Sequence, residues 1–391
     1  MKIAIINLTS GGMSGGYRKY LREVLPRLAM APDIDTILCA YPDSINRRDI
    51  LLNSDNIEYV PYTPGFTTRS VKRQLFKRLK TFSPDILFFP SARCFRFGDI
   101  PVVIMIQNME PLVQIEGTPL IDKVINFARK KEAIRSMKKS TRIIAISEFV
   151  RQAAIGRLGA DPAKIEQIYL GATQLCSNDA KKPPIVPESW GGHFLFTAGA
   201  IRPGRGLEDL VSAMKSLETV SHIFGLVIAG NVDKRMDNYK KQLVTFLDDR
   251  RLADRVIWTG TLTEQEMSWC YKNCMIFVMT SRVEACPNIA IEAMAHGCVC
   301  IASDNDPLPE IFDNGALYYS AKNGEELAKK IVRITASGHC QAQAMSHQAI
   351  NRSIKFSWEK CAAQTVSVFK SMCGTTPSAF PVGRSSLHDL M

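Results

Sequence analysis

The sequence predicts an α/β chain of two tandem, doubly wound, Rossmann-like domains facing a central cleft. Three observations predict it. Short apolar runs alternate with helical patterns from the first residue onward. A polar, Pro-rich stretch at residues 177–189 (SNDAKKPPIVPES) interrupts that alternation once. The length, 391 residues, is too great for one ordinary core and suits two of about 150–200 residues each. Strand–helix alternation of this kind implies parallel sheets covered on both faces.

In order, residues 2–8 read as a buried strand, followed by the glycine-rich turn SGGMSGG at 10–16. Tyr17, Tyr20, Leu21, Val24, Leu25 and Leu28 then recur at helical spacing. Residues 36–40, 57–61, 86–89, 102–106 and 142–146 repeat the strand signal, with helices between most of them. Beyond the linker, strands are expected at 193–197, 224–229, 256–258, 275–279 and 299–303, separated by helices such as 207–216. The division is a first domain at 1–176, a linker at 177–189, a second domain at 190–355, a helix within 356–373 and a loose tail at 374–391. Pattern alone does not say what the last helix packs against.

Composition narrows the class. Hydrophobic residues are 46% and charged residues 22%, which excludes disordered, collagen-like and coiled-coil chains. Net charge is +11, and its placement is uneven: residues 1–178 hold 26 basic and 16 acidic side chains, the remainder 23 and 22. The first half therefore expects an anionic partner surface. Two segments concentrate the charge. Residues 68–80 carry six basic and no acidic residues, and residues 129–142 carry seven basic against Glu132. A solvated helix face has the same look; an anionic membrane or a lipid-diphosphate acceptor is the alternative. No recognition motif or stacked-aromatic module points to nucleic acid.

The eleven cysteines are scattered and odd in number, with no zinc-ligand spacing, so structural thiols in a reducing cytoplasm are expected. The apolar opening run is too short for a signal peptide core. No stretch of 18 apolar residues is present to span a bilayer.

Ligands of doubly wound sheets bind beyond the carboxyl ends of the strands, and four loops there carry chemistry. The turn at 10–16 brings four glycines before a helix whose free N–H groups suit an anion, although a permissive tight turn needs the same residues. It fits neither the dinucleotide fingerprint nor a P-loop. TAGAIRPGRG at 197–206 places Arg202 and Arg205 around a Pro-Gly turn before a helix, a diphosphate clamp unless both are solvated loop arginines. SRVEACPNIAIEAM at 281–294 places Glu284 in a loop and Glu292 on a helix that Asn288 is expected to cap. Glu292 stands in an apolar run, so a buried partner or a ligand hydroxyl is expected beside it. Gln107, Asn108 and Glu110 follow the strand at 102–106 and are expected to point into the cleft. Asp33 with Asp35, and Asp304 with Asp306, have Asp-x-Asp spacing. The first pair precedes a strand, the wrong end for the site; the second follows the strand at 299–303 and could face the cleft, but the arginines already supply the positive charge, so no metal is expected.

The Glu-x7-Glu of Glu284 and Glu292 leads into EAMAHGCVCIAS, with AGAIRPGRGLEDL upstream and IIAISEFVR in the first half. Together these resemble the family-4 retaining glycosyltransferases of the GT-B fold, over about residues 1–372 and most specifically over 256–310. The resemblance implies a first domain on the acceptor side, a second that binds a nucleotide diphosphate sugar, and a C-terminal helix crossing back onto the first. It implies that Glu292 holds the donor ribose hydroxyls, that Glu284 lies near the transferred sugar, and that Arg205 replaces the usual Lys on the pyrophosphate. Gly15 and Gly16 match the glycine loop that approaches the pyrophosphate from the other domain. Donor binding is thus expected of Gly15, Gly16, Gly199, Arg202, Arg205, Glu284, Pro287, Asn288, Ile289 and Glu292. Catalysis is expected of Glu284 and Arg205, and the acceptor side of Gln107, Asn108 and Glu110. The base is expected near residues 260–262.

The sequence also departs from the family. The first clamp Arg is Ala200 here, leaving Arg202 to substitute. The glycine-rich stretch after the first Glu is Ala285, Cys286, Pro287 and Asn288, and the loop in which many relatives carry His reads Gln107-Asn108. No His precedes His193. An inverting transfer needs a base on the acceptor hydroxyl, for which only Glu110 offers itself. A front-face, retaining transfer needs chiefly stabilisation of the leaving diphosphate. The expected function is a retaining, metal-independent glycosyltransferase using a UDP- or GDP-linked sugar, without further cofactor. It would act on a glycan or lipid-linked acceptor in cell-surface polysaccharide or glycolipid synthesis, in the cytoplasm or at the inner membrane face. An inactive nucleotide-sugar-binding subunit, or an epimerase of the same fold, is the alternative.

Overall fold

The computed structural model describes residues 1–8, 15–45, 54–64, 68–113, 116, 118–173, 180–217, 225–249 and 252–373. The turn at 10–14, the first residues of the linker and the tail at 374–391 lie outside them. In the first unit the order is β1 (Lys2–Ile6), α1 (Gly15–Ala29), β2 (Thr36–Pro42), β3 (Ile57–Tyr62), α2 (Thr68–Phe82), β4 (Ile86–Phe89), β5 (Val102–Ile106), α3 (Leu120–Lys139), β6 (Arg142–Ala145), α4 (Glu148–Leu158) and β7 (Ile165–Gln167). The second unit starts with β8 (Phe194–Ala198), α5 (Leu207–Ser216), β9 (Gly225–Ala229), α6 (Asp237–Asp249), β10 (Val256–Gly260), α7 (Glu264–Asn273) and β11 (Ile276–Met279). It closes with α8 (Asn288–Ala295), β12 (Cys300–Ser303), α9 (Leu308–Phe312), β13 (Leu317–Tyr319), α10 (Gly324–Ala336) and α11 (Gly338–Ser353), and α12 (Trp358–Lys370) follows.

Both sheets are wholly parallel. The first has seven strands in the order β3-β2-β1-β4-β5-β6-β7, and the second has six in the order β10-β9-β8-β11-β12-β13. Central strands such as β5 (VVIMI) and β8 (FLFTA) are buried at every residue, as continuous apolar runs covered on both faces should be. The predicted strands form within one or two residues of their expected ends. The two the apolar pattern missed, β7 and β13, are three-residue edge strands with side chains partly in solvent. β7 (IEQ) carries no apolar run to read, and that of β13 (LYY) is only three residues long.

The predicted helix after the glycine turn is α1, and the six periodic residues from Tyr17 to Leu28 form its buried stripe. The described part of the linker is a strap, not a loose tether. Val186 is fully buried, and the Lys181 N–H donates to the Gln265 carbonyl at 3.1 Å. The partner of the last helix is also clear. Phe369 of α12 meets Phe88 of β4 edge-on with ring centroids 5.3 Å apart, and Trp358 meets Tyr20 of α1 at 6.3 Å. Lys370 closes an ion pair with Asp33 at 2.9 Å. The C-terminal helix therefore crosses back and completes the core of the first unit.

Candidate active site in the interdomain cleft

The carboxyl ends of the two sheets face each other, so the loops after β5, β8 and β11 and the helix α1 meet there, joined by the Arg202–Glu110 and Lys19–Glu292 pairs. After β8 the chain turns through Gly199, whose φ of +122° suits glycine. A Cβ there would stand 2.4 Å from Arg205 Cζ, so only glycine lets the guanidinium lie against the backbone. Arg205 ends a single 3-10 turn, Pro203–Arg205, just before α5. Its side chain is 15% exposed and donates from Nη1 to Glu284 Oε1 at 2.5 Å and to Ser281 Oγ at 3.3 Å. Burial pulls the guanidinium below its ordinary pKa, and the Glu284 charge opposes that. The Nε atoms of Arg205 and Arg202 are buried without an acceptor among the described residues. Arg202 Nη1 reaches across the cleft to Glu110 Oε1.

A buried charge network holds the Glu284 loop against the arginine loop. Asp209 in the first turn of α5 is 3% exposed and pairs with Arg282, with Nη1 to Oδ2 at 2.8 Å. The Tyr319 hydroxyl and the Lys322 N–H also donate to Asp209 Oδ2, at 2.8 and 2.9 Å. The Arg282 N–H donates to the Gly204 carbonyl at 2.8 Å, and the Thr280 hydroxyl to that of Arg205 at 2.7 Å. Neither Asp209 nor Arg282 stood out in the sequence, where Asp209 reads as an ordinary acidic residue of a helix's first turn.

Glu292 has the buried partners its apolar setting demanded. Lys19 of α1 forms an ion pair with Oε1 from the opposite domain, and the Tyr271 hydroxyl donates to Oε2 at 3.1 Å. Burial, with the Glu292 charge added, pushes the Tyr271 hydroxyl well above its ordinary range. His296, which caps the C-terminus of α8, lies with Nδ1 2.8 Å from the Glu292 carbonyl and Nε2 3.2 Å from Ser268 Oγ. Burial lowers its pKa. A cavity of about 340 Å³ opens here, lined by Arg18, Lys19 and Arg22 of α1 and by Leu262, Tyr271 and Glu292. Leu262 falls within the stretch where the base was expected.

One expectation is corrected. Asn288 does not cap α8: it is the first helical residue, Pro287 stands at the cap, and no side chain closes it. Its amide instead faces α1, with Nδ2 3.5 Å from where a Gly16 Cβ would lie, and its Oδ1 is buried without a donor among the described residues. Gln107 Nε2 donates to the Pro90 carbonyl at 3.1 Å, at the end of the neighbouring strand β4. Asn108 Oδ1 accepts the Glu110 N–H at 2.9 Å and shapes the turn Glu110–Leu112. Of that trio only Glu110 reaches the opposite wall. Pro287 is buried, and the Ile289 carbonyl lies 3.4 Å from the Tyr271 hydroxyl. Gly15 and Gly16 open α1, which points its N-terminus at the cleft.

Three of the four Asp-x-Asp carboxylates have partners within the chain. Asp35 binds the N-terminal ammonium at 2.8 Å, Asp33 binds Lys370, and Asp304 Oδ1 accepts the Ala321 N–H at 2.9 Å. The described cysteines are free thiols.

Two parallel sheets with buried arginine and glutamate loops facing across a cleft define a GT-B architecture. The model of the glycosyl transferases group 1 matches residues 180–353, and that of Glycosyltransferase Family 4 matches residues 14–173. It is 22% identical over 331 residues to the O-antigen chain mannosyltransferase RfbU of Salmonella typhimurium, covering 80% of this chain and 86% of that one. It is 25% identical over 193 residues to the lipopolysaccharide core biosynthesis mannosyltransferase LpcC of Rhizobium leguminosarum, covering 48% and 53%. Among solved structures, HepE of Anabaena in complex with UDP and glucose superposes with a TM-score of 0.71 at 18% identity, over 95% of this chain and 100% of that one. A glycosyltransferase of Rickettsia africae gives 0.70 at 16%, over 96% and 99%.

Proposed function

We propose that this glycosyltransferase is retaining and metal-independent, and moves a hexose from a UDP- or GDP-linked donor onto a glycan or lipid-linked acceptor. Its setting would be cell-surface polysaccharide or glycolipid synthesis at the cytoplasmic face of a membrane. The observation that carries the reading is the buried Arg205, laid on Gly199 and locked by Glu284, with its Nε unengaged at the carboxyl ends of the second sheet. The names of the relatives favour mannose, and the charge of the first half favours an acceptor carried by an anionic lipid.

In the reaction the bond between the sugar's anomeric carbon and the diphosphate oxygen breaks, and the acceptor oxygen forms its bond on the same face. The acceptor proton passes to the departing phosphate oxygen. Arg205 and Arg202 stabilise the charge that grows on the diphosphate, a fixed electrostatic contribution that removal of one donor typically reduces by about 10²–10³ in rate. The α1 N-terminus adds N–H groups from the other side. Glu292 accepts from the ribose hydroxyls once Lys19 yields, and Glu284 holds Arg205 while facing the sugar. Glu110 stays on Arg202, which leaves the acceptor hydroxyl without a protein base.

The test offers UDP-glucose, UDP-galactose and GDP-mannose with a lipid extract as acceptor, without and then with EDTA, and reads the new linkage by anomeric proton–carbon coupling. An α-linked product from the α-linked donor is expected. A β-linked product overturns retention, and loss of transfer on adding EDTA overturns metal independence. Nucleotide binding without any transfer would favour the inactive-subunit reading that Ala200 keeps in view.

A further inference from the structure

The helix α3 carries an outward stripe that the reaction does not use. Leu120, Ile121, Val124 and Phe127 are 79%, 65%, 68% and 59% exposed, four large apolar side chains in its first two turns. Continuing the spacing from Leu120, Val124 and Phe127, the same stripe meets Lys131, Arg135 and Lys138, all exposed. The Lys131 ammonium sits 4.5 Å from the Phe127 ring centroid. The opposite face buries Ala133, Ser136 and Met137, so α3 is seated on the sheet and the stripe is its free side.

The stripe lies on a basic face. The loop after β4 ties α3 to α2: Arg96 Nε donates to the Lys139 carbonyl at 3.1 Å, and Phe97 packs edge-on against Phe76 of α2 at 5.5 Å. Exposed Arg69, Arg73, Lys77 and Lys80 of α2 extend the charge. The apolar end of α3 is also the end at the cleft mouth. It follows the Glu110 turn, and Asp122 in its first turn pairs with Arg235 of the second domain at 2.6 Å.

We propose that the α3 stripe is a membrane-docking face for an anionic bilayer: its first two turns enter the acyl boundary, and the basic turns behind them lie on the headgroups. The acceptor side of the cleft is thereby held at the lipid surface, an inference that rests on the lipid-linked acceptor proposed above. Charge decides the occupant. A second copy would bring like charges together, and four side chains on one helix fall far short of the 20–30 residues a side of a stable protein interface. An anionic surface meets the arginines and lysines with opposite charge while the apolar groups leave water.

The test is co-sedimentation of the full chain with phosphatidylcholine vesicles, with and without phosphatidylglycerol. Binding is expected only with the anionic lipid. The variant I121S/F127S should bind about tenfold more weakly or worse, and K131Q/R135Q about 30-fold more weakly. A third variant, F127W, should show emission quenched by brominated lipid. Wild-type binding indifferent to anionic lipid, or an unquenched Trp at 127, overturns the proposal. So does a dimer in sedimentation velocity that I121S/F127S dissolves. UDP and GDP titration runs alongside on every variant. Intact nucleotide binding without vesicle binding sinks the docking face alone, whereas vesicle binding without nucleotide binding sinks the donor reading.

Discussion

The two walls of the cleft are built differently. The wall of the second domain is held from within: Asp209, Arg282 and Tyr319 clamp the loops, and Glu284 locks Arg205 inside the same domain. The wall of the first domain contributes Lys19, Arg22 and Glu110, which reach across to Glu292, Glu264 and Arg202. The first set is the preorganised anion site of the proposed reaction. The second set is a row of interdomain ion pairs, and in the proposed reaction donor entry exchanges the Lys19–Glu292 pair for a ribose contact while Glu110 stays on Arg202. Rigidity belongs to the donor wall, and adjustability to the acceptor wall.

The comparison breaks most severely at Asp209. Asp209→Ala leaves Arg282 as an uncompensated, largely buried charge, and a stability loss of about 3–5 kcal/mol is expected by thermal or urea unfolding. Next is Arg205→Ala, with a fall in kcat of about 10²–10³. Arg205→Lys should recover part of it, since a point charge replaces a fork. Equal loss in the two variants would mean that packing on Gly199, not charge, is what position 205 supplies.

Glu110→Gln should cost less than about tenfold in kcat, because its Arg202 pair is partly solvated and the proton leaves through the phosphate. A loss of 10³ or more, with disappearance of the acidic limb of the pH profile, would make Glu110 a base and reverse the stereochemical reading.

The smallest effect concerns His296. Burial lowers its pKa, so the folded state prefers the neutral ring. Its stability contribution is present above its ordinary pKa near 6.5 and is lost as pH falls through the lower folded value. His296→Gln should flatten the unfolding free energy against pH below about 6.5. A slope unchanged by the substitution would contradict this.

Much of this was legible because local physics marks it. Parallel strands covered on both faces leave continuous apolar runs, and glycines and arginines before a helix mark an anion site. The apolar neighbours of Glu292 demanded a partner. Its identity was not legible: nothing local joins Lys19 to a residue 273 positions away, and Tyr271 reads as core. Asn288 looked like a cap because its residue type favours one, yet the chain enters α8 through Pro287. The α3 stripe stayed hidden because periodicity shows where apolar residues recur and not which of them meet a sheet.

In the proposed function the second-domain wall binds a nucleoside diphosphate through Glu292 and Arg205 without metal. Calorimetric titration with UDP, GDP, ADP and dTDP in EDTA tests it most directly, with the best ligand repeated on Glu292→Ala. One nucleotide should bind, and the substitution should weaken it by about tenfold or more, the loss of a hydrogen-bonded carboxylate on the ribose. Binding to none of the four, or binding indifferent to Glu292, would contradict the account.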